Sequence, residues 1–173
     1  EESIGTPSPF APIAPDPRGV LHDPAVVWTG TEAIALGGLD PDGVASNQVA
    51  AYDPATDAWR ELAPAPLAVT VDTAVAWTGA GLVVVDLNAA MTARYDAASD
   101  AWTSGPAPRC DDFLTPWAWT GTELLVWPTD DVPRAYDPAT DTWRTVSTPP
   151  IDARRAAASV WTGSEWIVWG GSS

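Results

Sequence analysis

A repeat of about 42 residues is the feature that most limits what this chain can fold into. The sequence Trp-Thr-Gly occurs four times, at intervals of 49, 42 and 42 residues, starting at Trp28, Trp77, Trp119 and Trp161. A second motif, Tyr-Asp-x-Ala-x-Asp-x-Trp, occurs at intervals of 43 and 41 residues, starting at Tyr52, Tyr95 and Tyr136. Because the two series advance together, the chain consists of successive copies of one structural unit.

Each unit has the pattern of short β-strands. The runs "AVVW" and "SVW" end in Thr-Gly, and the runs "AIALGG", "LVVVD", "LLVW" and "WIVWGG" follow at once. Thr-Gly-Thr-Glu between two such runs predicts a tight hairpin. A third strand ends at the Tyr-Asp pair and a fourth begins at the Trp, after which prolines stop it. Four short antiparallel strands in about 42 residues are typical of one blade of a β-propeller.

The unit resembles the Kelch repeat of the galactose-oxidase-like central-domain superfamily. The resemblance rests on a Gly-Gly pair after the second strand (Gly37-Gly38 and Gly170-Gly171), then Tyr-Asp-Pro, then a Trp six residues beyond the Asp. It covers nearly all of the chain after about Arg18. The second and third units depart from it, with Asp86-Leu87 and Pro128-Thr129 in place of the Gly-Gly pair.

The repeat predicts an all-β fold, a Kelch-type β-propeller domain over residues 1–173 with about 3.5 four-stranded antiparallel blades. The units span approximately 19–65, 68–107 and 110–149, with a partial unit over 152–173. The leading "FAPIAPDPR" has the pattern of the tail of a preceding fourth strand. Because the chain begins with Glu1, we expect a processed protein or a fragment.

Kelch propellers usually close with six or seven blades, so the resemblance implies that further blades complete the ring. An open row of blades would leave a strand edge and a blade face exposed. We expect the additional blades in a second copy, in another chain or in another part of the same polypeptide. The alternative is a four-bladed closure in which the N-terminal segment pairs with the partial unit.

The charge of the chain limits the classes of partner that it can bind. Its net charge is −15, and all eight basic residues are Arg. Such a surface repels phosphate backbones and anionic lipids, so we expect neither nucleic-acid binding nor membrane insertion. The Ala- and Pro-rich composition, the lack of Lys and the absence of an initiator Met favour an exported bacterial protein, extracellular or in the cell envelope.

Residues that recur in every unit are predicted to build the blade. Asp-Pro-Ala-Thr-Asp is a turn sequence, and it offers too few oxygen ligands for calcium. The flanking Tyr and Trp can pack between adjacent blades and use their polar edges for hydrogen bonds. This structural interpretation applies to Asp53, Asp57, Asp96, Asp100, Asp137, Asp141, Glu32, Glu123, Glu165 and the Trp-Thr-Gly tryptophans.

Function is expected where the units differ. The Thr-Gly-Thr-Glu and Asp-Pro-Ala-Thr-Asp turns share one edge of the blades, named here the repeated rim. The second-to-third hairpins and the blade-to-blade connections share the opposite edge, named the variable rim. Mixed Asp, Arg and aromatic residues there suit a sugar, a peptide or a protein loop. The candidate binding residues are Arg18, His22, Asp23, Asp40, Asp42, Arg109, Asp111, Asp112, Phe113, Trp117, Asp130, Asp131, Arg134, Arg154 and Arg155.

The sequence contains no catalytic or metal-binding constellation. His22 is the only histidine and Cys110 the only cysteine, so multi-His metal centres, Cys-based zinc sites and an intrachain disulfide are excluded. Copper-radical oxidases similar to galactose oxidase need two His, two Tyr and a cross-linked Cys. We therefore predict no cofactor and favour a non-enzymatic module that binds a protein or a glycan. The alternatives are a carbohydrate-active Kelch enzyme similar to the sialic-acid mutarotases, and a building block of a larger propeller.

Overall fold

The computed structural model describes residues 12–110, 114–128, 132–147 and 149–172, and these residues form fourteen β-strands and no helix. The first sheet contains β1 (Ala25–Trp28), β2 (Ala33–Leu36), β3 (Val49–Asp53) and β4 (Ala58–Leu62). The second contains β5 (Ala74–Trp77), β6 (Gly81–Asp86), β7 (Met91–Asp96) and β8 (Ala101–Pro106). The third contains β9 (Trp117–Trp119), β10 (Leu124–Val126), β11 (Arg134–Asp137) and β12 (Thr142–Thr145). The fourth contains β13 (Ala158–Trp161) and β14 (Trp166–Trp169).

Each sheet is one repeat unit, with its strands paired antiparallel in sequence order. Three sheets have four strands and the fourth has two, which confirms the predicted count of about three and a half blades. Within the described part of the chain, no helix is long and apolar enough to cross a membrane.

The Thr-Gly turns form as predicted because the Thr side chain caps them. The Thr29 hydroxyl oxygen accepts a hydrogen bond from the Glu32 amide at 2.9 Å, and the Thr29 amide donates to the Glu32 carbonyl at 2.9 Å. Thr120 and Glu123 repeat both contacts at the same distances. Gly30 follows the Thr with φ 107°, a conformation that favours glycine.

The core lies between the sheets, and the second and third blades contribute both of their faces. We call the side of a blade that faces the next blade along the chain its forward face, and the opposite side its rear face. Ile34, Leu36 and Val49 lie on the forward face of the first blade and pack against Val75 and Leu82 on the rear face of the second. A second cluster joins the forward face of the second blade to the rear face of the third, through Val83, Val85, Leu124, Val126 and Tyr136. Because both faces are buried, the central strands are continuous apolar runs and do not alternate with polar residues.

The Gly-Gly pair lets the end of the second strand approach the loop that leads into the first. Gly37 and Gly38 have φ of 58° and 100°, and a Cβ on Gly38 would lie 2.7 Å from the His22 carbonyl oxygen. A Cβ on Gly171 would lie 2.4 Å from the corresponding carbonyl of Arg155. In the second blade the strands run on to Asp86, whose carboxylate caps the turn by accepting from the Ala89 amide at 2.9 Å.

Candidate functional site

The repeated Tyr-Asp-x-Ala-x-Asp-x-Trp motif joins each blade to the chain segment before it. The Asp57 carboxylate accepts hydrogen bonds from the Tyr52 hydroxyl at 2.7 Å and from the Ala14 amide at 2.8 Å. The Trp59 indole N–H donates to the carbonyl of the same Ala14 at 2.8 Å. Tyr52 and Trp59 also contact each other, with ring centroids 5.1 Å apart. We call this set of hydrogen bonds the junction contacts.

The second blade makes the same junction contacts with the first. Asp100 accepts from Tyr95 at 2.7 Å and from the Ala63 amide at 2.9 Å, and Trp102 donates to the Ala63 carbonyl at 2.8 Å. Ala63 directly follows β4, so Ala14 occupies the place of the residue after a fourth strand. The N-terminal segment therefore lies where the sequence predicts the tail of a preceding fourth strand.

The third blade makes different junction contacts with the second, because Pro106 stands at the position of Ala63 and has no amide hydrogen to donate. Asp141 accepts from Tyr136 at 2.6 Å, and its other oxygen pairs with the Arg94 guanidinium at 3.3 Å. Arg94 also donates to the Pro138 carbonyl at 2.9 Å. The Trp143 indole nitrogen is buried, and no described residue accepts a hydrogen bond from it.

Hydrogen bonding shifts the pKa of the groups in these contacts. The Ala14 amide and the Tyr52 hydroxyl lower the pKa of Asp57, and the Ala63 amide and the Tyr95 hydroxyl lower that of Asp100. Burial, together with donation to Asp141, raises the pKa of Tyr136 to about 12.

The first Asp of each motif caps its turn. Asp53 accepts from the Ala55 amide at 2.8 Å and from the Thr56 hydroxyl at 2.9 Å, and Asp137 accepts from Ala139 and Thr140 at the same distances. The repeated acidic residues thus serve the turns and junctions, which confirms the structural interpretation of the motif.

The first and third blades each contain a Glu–Arg ion pair at the repeated rim. Glu32 binds Arg60 through both carboxylate oxygens, at 2.8 and 3.2 Å, and Glu123 binds Arg144 at 2.6 and 2.8 Å. In the second blade the equivalent positions are Gly81 and Thr103, so both partners of the pair are missing.

A cleft of about 570 Å³ lies at this place, between the second and third blades. Leu82, Val83, Arg94, Trp119 and Pro138 are among its lining residues. The repeat predicts a structural role for the residues of this rim and does not predict a cleft there. The available signal was the turn "TGAG", which stands where other units have "TGTE" or "TGSE".

The predicted variable-rim residues fall into different environments. The Arg18 side chain is 3% exposed and binds both Asp16 and the Gly37 carbonyl, so its guanidinium stabilises the loop. Asp40 caps its own turn by accepting from the amides of Asp42 and Val44, at 2.9 and 2.8 Å. Asp42 itself is exposed.

Four candidates lie on the connections that lead into the blades. His22 and Arg155 occupy equivalent positions, each pairing through its backbone with the residue after a Gly-Gly pair, Leu39 or Ser172. Asp23, next to His22, has φ 51°, and Arg109 is exposed.

The remaining candidates are partly buried or lie outside the described residues. Arg154 donates to the Gly170 carbonyl at 2.5 Å, and Arg134 is half-buried in β11. Trp117 packs in the second core cluster. The predicted residues outside the described part of the chain are Asp111, Asp112, Phe113, Asp130 and Asp131.

Two cavities open at or near the variable rim. A cleft of about 820 Å³ runs along β9 and β13 and includes Val71, Leu114, Trp117, Ala156 and Trp161. A smaller cavity of about 340 Å³ is lined by seven residues at the ends of β3 and β4 and beside them: Arg18, Asn47, Gln48, Val49, Glu61, Leu62 and Pro64. Among the described residues, no group of three or more His, Cys, Asp or Glu side chains is placed to hold a metal ion.

Comparison with known proteins identifies the architecture. No family model matches this sequence, and no curated protein matches it. A solved structure of YjhT is similar, with a TM-score of 0.72 and 15% sequence identity. The fold is that of a β-propeller. The similarity covers 92% of this chain and 61% of the YjhT chain, so this chain spans about three fifths of that protein, and at this identity the likeness concerns the fold alone.

Proposed function

We propose that this chain belongs to a Kelch-type, non-enzymatic binding propeller that recognises a protein or glycan partner through the variable rim. The observation that carries the proposal is how the repeated side chains are used. The Tyr, Asp, Trp and Glu residues of the motifs bind their own blade or its neighbour, leaving the non-repeating loops for recognition.

The cleft along β9 and β13 supports this proposal. Its volume of about 820 Å³ lies within the range of small-molecule sites, roughly 300–1,000 Å³. Aromatic side chains form part of its wall, and such side chains can stack on a sugar ring or receive an apolar side chain of a partner protein. Arg155, one residue before Ala156 in the wall, is exposed.

A glycan microarray with two matched variants tests the proposal. Arg155→Ala removes an exposed Arg from the variable rim, and Arg144→Ala removes an exposed Arg from the repeated rim. Both substitutions change the charge by one unit, so a non-specific electrostatic effect would be the same for both. We expect Arg155→Ala to weaken binding of any glycan retained by the wild type about tenfold or more, and Arg144→Ala to leave it unchanged.

The outcome that contradicts the proposal is equal behaviour of the two variants, or stronger loss with Arg144→Ala. A blank array restricts the proposal to protein partners. Cross-linking mass spectrometry of the chain in a bacterial envelope extract then tests it, because cross-links confined to the repeated rim would contradict it.

A second candidate is a carbohydrate-active enzyme of the sialic-acid-mutarotase type, favoured by the same cleft and by Arg154 and Arg155, which directly precede Ala156 of its wall in the sequence. The probe is N-acetylneuraminate, whose anomer exchange is measured by NMR. Exchange that is accelerated by the wild type and abolished by Arg155→Ala would support the enzyme. An exchange rate that the wild type does not increase would contradict the enzyme hypothesis.

We also propose that further blades, in a second copy, in another chain or in another part of the same polypeptide, cover the two ends of this row of blades. Trp169 on the forward face of the last sheet is 80% exposed, whereas its equivalents Leu36, Val85 and Trp127 are buried between blades. At the other end, Trp28 on the rear face of the first blade is 56% exposed. These are the two types of face that meet at every internal blade junction.

A further inference from the structure

Arg94 differs from Arg60 and Arg144 in the groups to which its guanidinium donates hydrogen bonds. Arg60 and Arg144 each bind one Glu carboxylate through two of their nitrogens. Arg94 instead reaches the third blade, where it makes one bond of 3.3 Å to Asp141 and one of 2.9 Å to the Pro138 carbonyl. A guanidinium has five N–H donors, so Arg94 retains donors that no described residue occupies.

Gly81 and Arg94 both line the cleft, and the second blade has no Glu carboxylate at position 81. Gly81 stands where Glu32 and Glu123 stand in the neighbouring blades, and a Cβ on Gly81 would lie 1.7 Å from the Tyr95 carbonyl oxygen. A larger residue therefore does not fit at this position without a backbone shift. The Arg94 side chain is 30% exposed and forms part of the wall of the cleft.

We propose that this cleft binds a small carboxylate with an apolar body. The ligand's carboxylate would accept hydrogen bonds from the Arg94 guanidinium in the wall of the cleft. Its apolar body would lie against Trp119 and Pro138, which line the cleft and are partly exposed. The cleft volume of about 570 Å³ is that of a small-molecule site.

The surrounding charges restrict the ligand to a single carboxylate. Asp96 and Asp137 stand at the mouth of the cleft, and both carboxylates accept hydrogen bonds within their own turns. They repel a second negative charge, so a monocarboxylate is favoured over a dicarboxylate. This site lies on the repeated rim, so the proposal is independent of the proposed function of the variable rim.

The test is isothermal titration calorimetry of the whole 173-residue chain with indole-3-propionate and with indole-3-propionamide. The two probes have the same apolar body and differ only in the charged group. We expect the carboxylate to bind at least tenfold more tightly than the amide. Arg94→Lys should weaken carboxylate binding about tenfold, because a lysine keeps the charge and loses the planar pair of donors.

Two tryptophan variants provide the matched control. Ala139 is exposed in the turn of the third blade and lines the cleft, while Ala55 has the same position in the turn of the first blade and does not. We expect Ala139→Trp to abolish binding and Ala55→Trp to preserve it. Urea unfolding of each variant separates loss of the site from loss of the fold.

Three results would overturn the proposal. They are equal affinity for the acid and the amide, unchanged binding by a folded Ala139→Trp, and no saturable binding of indole-3-propionate up to about 10 mM.

Discussion

At the scale of single residues, the repeated acidic and aromatic side chains form a hydrogen-bonded connection between successive blades. One Asp oxygen accepts from a Tyr hydroxyl of its own blade and from the backbone of the preceding segment. The Trp indole closes the contact by donating to the carbonyl of that same residue. The three copies therefore have the same sequence motif but not the same set of bonds, because the third has a proline opposite it.

This difference predicts unequal costs for one substitution at two equivalent positions. Trp102→Phe removes an indole that donates to the Ala63 carbonyl, whereas Trp143→Phe removes one without an acceptor among the described residues. The loss of ring area is the same in both. We expect Trp102→Phe to lower the free energy of unfolding by about 1 kcal/mol more than Trp143→Phe, measured by urea titration. Equal losses would show that the indole hydrogen bond does not stabilise the junction.

The junction carboxylates also predict a dependence of stability on pH. The pKa values of Asp57 and Asp100 are lowered in the folded chain, so the unfolded chain binds more protons as the pH falls below the ordinary Asp value of about 4. Their contribution is fully present above about pH 5 and is lost as the pH falls through the folded pKa values. We expect the urea midpoint to fall steeply below about pH 4, and Asp100→Asn to make this fall shallower. An unchanged slope would contradict the assigned hydrogen bonds.

At the scale of elements, the sequence predicts the strands and turns well because they depend on neighbouring residues. Thr-Gly turns, prolines after the fourth strand and the Tyr-Asp boundary are all local signals, and the strands lie where these signals place them. The Gly-Gly pair is similarly predictive, since positive φ and close backbone approach both require glycine.

The two contributions of glycine can be separated by alanine substitution. Gly38 and Gly43 both have positive φ, but a Cβ would meet the His22 carbonyl at Gly38 and nothing within 4 Å at Gly43. Gly43→Ala should cost about 1–2 kcal/mol from the backbone conformation. Gly38→Ala should cost at least about 1 kcal/mol more, because the loop before β1 must move. The measurement is urea unfolding, and equal costs would contradict the close approach.

Features that depend on contacts between neighbouring blades were not predicted from the sequence. The pairing of Arg94 with Asp141 follows from the missing amide of Pro106, which lies on another strand. The cleft beside it depends on Gly81 and Thr103, which are not adjacent in the chain. The ion pair of Arg18 with Asp16 was likewise not predicted, and the predicted binding role of Arg18 stays a prediction. The predicted roles of the other variable-rim residues stay predictions.

At the scale of the whole molecule, the blades form a row whose ends have the same chemistry as its internal junctions. The apolar residues Val160, Ile167 and Trp169 stand on the forward face of the last sheet, and Val26 and Trp28 on the rear face of the first. Exposed apolar surface of this kind favours association. We propose that both ends are blade-contact faces, which another blade covers as internal blades cover each other.

Sedimentation velocity of the 173-residue chain at about 20 μM tests this claim most directly. We expect species heavier than the 18.2 kDa monomer, and a shift to the monomer when Trp28→Gln and Trp169→Gln are combined. A double variant that combines Arg60→Gln and Arg144→Gln, both at exposed positions, serves as the control and should leave the association unchanged. A wild-type chain that sediments as a single 18.2 kDa species and unfolds cooperatively would contradict the account.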